Sequence, residues 1–196
     1  MYNLPTTVTI NDKEYNIREK GDFRIIIKII EICQDLDLTG QERSIAALTV
    51  FYEDVQHYED IFILFDDVQE AIDAMMAFIS CNDDEDIGYK TKAKVIDWVQ
   101  DEKLIIAELN KVAGKELRSE PYVHWWTLIG YFMTIEEGSL SMIVGIRDKI
   151  ARGKKLEKHE REFKQQNPHY FKWKNKSTQE IEVENEIMKL WNNNNT

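Results

Sequence analysis

The chain has 196 residues, 43% hydrophobic and 31% charged, with eight glycines, three prolines and a formal net charge of −11. That length suits one domain whose core is large enough to need no disulfide or metal staple, and the scarcity of glycine and proline predicts long helices joined by short loops. The acidic balance counts against a mainly phosphate-binding protein; with no apolar run near the ~20 residues that cross a bilayer, and no basic-plus-apolar leader, a cytoplasmic setting is expected.

In chain order, Val8, Ile10, Tyr15 and Ile17 alternate with polar neighbours around Asn11-Asp12-Lys13, which predicts a small β-hairpin. Asp22 is placed to cap a helix carrying Phe23, Ile26, Ile27, Ile30 and Cys33 on one face. Thr39 and Glu42 stand at the spacing of a reciprocal cap for a helix with Ile45, Ala46, Leu48 and Phe51. Tyr58 to Phe65 reads either as a helical turn or as a short extended piece. Asp67 and Glu70 repeat the capping spacing ahead of Val68, Ala71, Ile72, Met75, Met76 and Ile79, a clean helical stripe. An acidic loop from Asn82 to Asp86 follows, and a helix is expected from Lys92 through Val95, Trp98, Val99, Ile105, Ile106, Leu109 and Val112, ended by Gly114.

Pro121 fits the first turn of the next helix, capped by Ser119 or Glu120 and beginning near Tyr122. Its stripe is Tyr122, Trp125, Trp126, Ile129, Phe132 and Met133. A break at Glu136-Glu137-Gly138, with Ser139 as cap, leads to a helix carrying Leu140, Ile143, Val144 and Ile150, and so short a link predicts that the two helices lie side by side. A further helix runs from near Leu156 to Pro168, and Ser177 with Glu180 caps an amphipathic segment ending at Trp191. The expected fold is mainly α, a multi-helix globular domain over residues 1–171 with a small N-terminal β-hairpin, followed by a C-terminal segment, 172–196.

Charge is divided along the chain. Residues 44–89 contain no lysine or arginine but twelve carboxylates, whereas 151–176 carry nine cationic side chains against three glutamates. Such asymmetry favours self-association into homo-oligomers or an oppositely charged partner. No pattern for enzymatic chemistry is present: the four histidines show no paired spacing, His159-Glu160 lacks the second histidine of a zinc helix because Phe163 stands there, and the acidic loop lacks the glycine and distal glutamate of a calcium loop. Cys33 and Cys81 are expected as buried thiols. No catalytic residue, metal or cofactor is predicted.

The candidate interaction residues are therefore Trp125, Trp126, Lys154, Lys155, Lys158, Arg161 and Trp191. The tryptophan pair reads either as core, with neighbours on two sides of its helix, or as an anchor with one ring exposed. The lysines and Arg161 read as a solvated face or a docking patch. Nucleic acid is the rival partner for segment 152–176, where Tyr170, Phe171 and Trp173 interleave with lysines; twelve carboxylates elsewhere make it the less favoured one.

Four motifs in order, VTINDKEYNIR leading to Asp22-Phe23-Arg24, then Ser80-Cys81-Asn82, His124-Trp125-Trp126 and Gly153-Lys154-Lys155-Leu156, give the chain from Leu4 to Phe171 its resemblance to a family of tail assembly chaperones of long-tailed phages of Gram-positive hosts, encoded near the tape measure protein. That resemblance implies a non-enzymatic role in the cytoplasm of the bacterial host. It implies the tape measure protein and the tail tube protein as partners, and absence from the mature virion.

Overall fold

The computed structural model describes residues 3–82 and 94–174, and among them it is a mainly α protein of eight α-helices and one two-stranded sheet. Strands β1 (Thr7–Ile10) and β2 (Lys13–Asn16) pair antiparallel, Val8 opposite Tyr15. Asn11 and Asp12 between them both take left-handed backbone angles, as a two-residue hairpin turn requires. The alternation in β2 puts Tyr15 and then Ile17 inside.

Helix α1 (Phe23–Gln34) starts where expected, with the Asp22 carboxylate accepting from the Arg24 amide at 3.0 Å. Its buried face is Phe23, Ile26 and Ile29. Helix α2 (Gly40–Phe51) opens with the predicted reciprocal pair: Glu42 N–H donates to Thr39 Oγ1, and Thr39 N–H to the Glu42 carboxylate. The end of α2 is held by Arg18, whose guanidinium donates to the carbonyls of Thr49, Val50, Tyr52 and Val55 at 2.7–3.1 Å. One cation thus satisfies acceptors that a helix end leaves open.

The Tyr58–Phe65 stretch resolves as a short helix, α3 (Asp60–Leu64), with Ile61 inside. Helix α4 (Val68–Ile79) buries Ala71, Met75 and Phe78. Asp67 caps it through the Gln69 amide, while Glu70 accepts from Asn11 on the hairpin, so the second capping pair is not reciprocal. Met76 faces water. Tyr15, Phe51, Tyr52, Phe65 and Phe78 form a linked aromatic centre with ring centroids 4.7–6.0 Å apart. The Tyr52 hydroxyl there donates to the Ala71 carbonyl at 2.7 Å, which keeps that buried O–H from being an orphan.

Several boundaries differ from those expected. Helix α5 (Glu102–Ala113) starts ten residues after Lys92, although Gly114 does end it in the left-handed region. Before it, the Asp97 carboxylate accepts from the amides of Val99 and Gln100, and Asp101 accepts from the Asp97 amide. Those local bonds take the amides that an earlier start would need. Helix α6 (Trp125–Met133) begins three residues after Tyr122, with His124 as its cap. Tyr122 to His124 run extended because they pair with the entry to α1: the Phe23 amide donates to the Val123 carbonyl, and Val123 N–H to Asp22, both at 2.9 Å. Tertiary pairing outweighs the first-turn preference of Pro121.

Helix α7 (Ser139–Ala151) follows Gly138, whose N–H donates to Ser141 Oγ, so Ser139 is the first helical residue and not the cap. Helices α6 and α7 pack more closely on α5 than on each other. Helix α8 (Lys158–Gln166) leads into a 3-10 turn at Pro168–Phe171 that closes against α7. The cysteines are not the buried pair expected: Cys33 lies exposed in the last turn of α1, and Cys81 is half-buried just past α4. Both are free thiols. Beyond residue 171, Trp173 still packs over the Arg147 guanidinium at 4.3 Å; the capped segment from Ser177 to Trp191 lies outside the described residues.

Candidate partner-binding groove

The His124-Trp125-Trp126 run has a structural task on both sides. His124 Nδ1 accepts from the Trp126 amide at 3.0 Å and its Nε2 lies 2.9 Å from the Pro5 carbonyl, an acceptor, so the ring is neutral with its proton on Nε2. The two indoles then donate to the last carbonyls of α4, Trp125 to Ile79 at 2.8 Å and Trp126 to Phe78 at 2.9 Å. One motif caps the start of α6 and the end of α4. Trp125 is only 2% exposed and Trp126 is half-buried, so Trp125 presents no anchor to a partner in this fold.

Burial pushes the His124 imidazole below its ordinary value of 6.5, outweighing the Pro5 carbonyl and Asp22 that act the other way. A proton on Nδ1 would also remove the acceptor that caps α6. The group binds more protons unfolded than folded, so stability rises with pH and is lost as pH falls. Its contribution is complete above pH 6.5 and is lost below it, towards the depressed folded value. Urea midpoints are therefore expected to drop between pH 7 and about 5.5 in the wild type and to stay level over that interval in His124→Asn, whose amide oxygen can still cap.

Trp125 also meets Trp98 edge-on at 5.3 Å, and Trp98 in turn leans on Phe132 at 5.1 Å. Trp98, the middle ring of that stack, lines a groove of about 350 Å³ between α1, α5 and α6. Its floor is apolar: Phe23 from α1, Ile105, Ile106 and Leu109 from α5, and Leu128 from α6, all buried, with Ile27 and Val99 reaching towards solvent. Both signs of charge stand on the rim, Arg24 and Arg118 against Glu31 and Glu102.

The rim cations are fixed in place. Arg24 pairs with the buried Asp22 carboxylate at 3.0 Å and reaches the Glu120 carbonyl at 2.7 Å. Arg118 makes two bonds to Glu116, at 2.9 and 3.0 Å, and this holds the Glu116 carboxyl down to about 2. An apolar channel of this size, edged by oriented charges of both signs, has room for a few side chains from one face of an amphipathic helix.

The sequence-predicted basic residues stand elsewhere. Lys154, Lys155, Lys158 and Arg161 are all exposed around the turn from α7 into α8. Lys155 and Arg161 line an open depression with Leu156, Lys164, Gln165 and Pro168. No basic candidate lines the groove, and Trp191 lies outside the described residues. The sequence reading passed over Arg147, which is 4% exposed and paired with the 2% exposed Asp101. The signal for it was present, since Arg147 falls three and four residues after Val144 and Ile143, on the stripe reserved for apolar side chains.

Among the described residues, no group of three His, Cys, Asp or Glu side chains could hold a metal ion, and no helix is long and apolar enough to cross a membrane. Residues 1–172 match the family described as Bacteriophage Gp15 protein. No curated protein and no solved structure matches the chain.

Proposed function

The chain belongs to the bacteriophage Gp15 protein family, and from that premise we propose that it is a phage or prophage tail assembly chaperone. It binds the long helical tape measure protein in the cytoplasm of the bacterial host and helps recruit tail tube subunits around it, leaving before the virion is complete. The observation that carries this reading is the groove between α1, α5 and α6, apolar along its floor and charged in both signs along its edges. A tape measure helix is amphipathic and long; the groove covers part of its apolar stripe while Arg24, Arg118, Glu31 and Glu102 set its direction.

The nucleic-acid reading of segment 152–176 draws less support. Stacking on bases needs free ring faces, and the Trp173 ring is occupied by Arg147 while Tyr170 and Phe171 are half-buried.

Co-expressed with the tape measure protein, the chain is expected to hold it in a soluble complex recovered by affinity capture. The pair Ile27→Asp and Val99→Asp places carboxylates at the groove mouth, and should cut recovery by on the order of tenfold while the variant still melts cooperatively. A tape measure protein that stays insoluble and uncaptured, or a groove variant that captures it as well as the wild type, would sink the proposal.

A further inference from the structure

We propose that the chain associates head to tail with copies of itself, the apolar ridge of α3 on one copy seating in the basic depression beside α8 of the next. Helix α3 buries Ile61 and packs Leu64 partly against the core, but turns Phe62, at 59% exposure, and Ile63, at 79%, outward, with Tyr58 exposed just before it. Three large apolar side chains exposed within six residues are more than the scattered single ones of an ordinary surface, and such clustering marks an interaction site. Exposed carboxylates flank it in the sequence, Glu53, Asp54, Glu59 and Asp66, and none of these pairs with a cation among the described residues.

The complementary surface is on the same chain. The depression at the α7–α8 turn is lined by Lys155, Arg161 and Lys164 with Leu156 and Pro168 between them, and Lys154 stands exposed next to it. Lys154, Lys155, Arg161 and Lys164 have no carboxylate partner among the described residues. An apolar ridge edged with negative charge therefore has, as its fitting counterpart, an apolar-lined hollow edged with positive charge. Helix α3 packs on α2, whereas α8 packs on the 3-10 turn against α7, so the two surfaces belong to different ends of the element order. A contact between unlike surfaces leaves each bound copy with one of each still free, and repeats as a row or ring. Neither surface includes a groove residue, so copies in a row keep their grooves available.

Sedimentation velocity on the full chain tests this. At low salt the wild type is expected to sediment faster as concentration rises, and to revert towards monomer at about 0.5 M salt, where charge attraction is screened within a few ångström. The ridge variant Phe62→Asp/Ile63→Asp and the depression variant Lys154→Glu/Lys155→Glu should each associate on the order of tenfold more weakly alone, with unchanged thermal melting. Mixed in equal amounts they should form a dimer and stop there, because each supplies the one surface the other lacks. A wild type that is monomeric at every concentration, variants that associate like the wild type, or a mixture that stays monomeric would overturn the proposal. Any of these leaves the tape measure reading intact, since that reading depends on groove residues alone.

Discussion

Replacing Arg147 by methionine is expected to lower the free energy of unfolding by about 3–5 kcal/mol, the cost of removing one partner of a buried ion pair. Arg147 Nη2 donates to Asp101 Oδ1 at 2.8 Å and Nη1 to Asp101 Oδ2, so both carboxylate oxygens are met by one guanidinium. The same side chain donates to the carbonyls of Val95 at 3.0 Å and Tyr170 at 2.6 Å, and Trp173 covers its face. It therefore ties α7 to the start of α5, to the segment before it and to the C-terminal turn at once. Methionine fills much of the volume but leaves the Asp101 carboxylate charged in a site shielded from water. Arg147→Met/Asp101→Asn should recover part of the loss, because the asparagine carbonyl can still accept from the Asp97 amide and neither charge of the pair is left without its partner. Urea unfolding of the two single variants and the double variant measures this; a coupling on the order of 2 kcal/mol is expected, and simple additivity would show that the pair does not act as a unit.

How much of this was legible in the sequence follows from how local each determinant is. The Asn11-Asp12 turn and the Thr39–Glu42 cap are each set by residues within one turn of one another and form as the spacing predicts, and α4 is a helix with Ala71 and Met75 inside as expected, although Phe78 is buried there and Met76 faces water. The starts of α5 and α6 are not local. The first is set by Asp97 and Asp101 side chains competing for backbone amides, the second by a pairing of Val123 with residues about a hundred positions earlier. The groove was out of reach for the same reason, since Phe23, Ile105 and Leu128 come from three helices whose adjacency no periodicity encodes. The tryptophan pair stood out, yet its indole donors close the end of α4, a carbonyl partner that only the folded chain identifies.

Gly21→Ala is expected to be the most damaging glycine-to-alanine change among the described residues, costing about 3–5 kcal/mol when the left-handed penalty of an L-residue and the penalty of an overpacked core are combined. The residue has φ +77°, and a β-carbon there would lie 2.7 Å from Phe78 Cζ and 3.2 Å from His124 Nε2. Neither neighbour can yield. Phe78 is packed between Phe51 and Trp126, and the His124 ring is pinned by its bonds to the Trp126 amide and the Pro5 carbonyl. Glu19 and Lys20 just before it are also left-handed, so the chain already holds two unfavourable residues there in order to turn from the hairpin into α1. Gly114 supplies the control: its φ is +68° but nothing lies within 4 Å of a β-carbon. Gly114→Ala should therefore cost only about 1 kcal/mol, from backbone conformation alone. Comparing the two alanine variants by urea unfolding separates the two contributions. Equal losses would mean that Phe78 and His124 can move apart, and that the junction of hairpin, α4 and α6 is looser than its bonds imply.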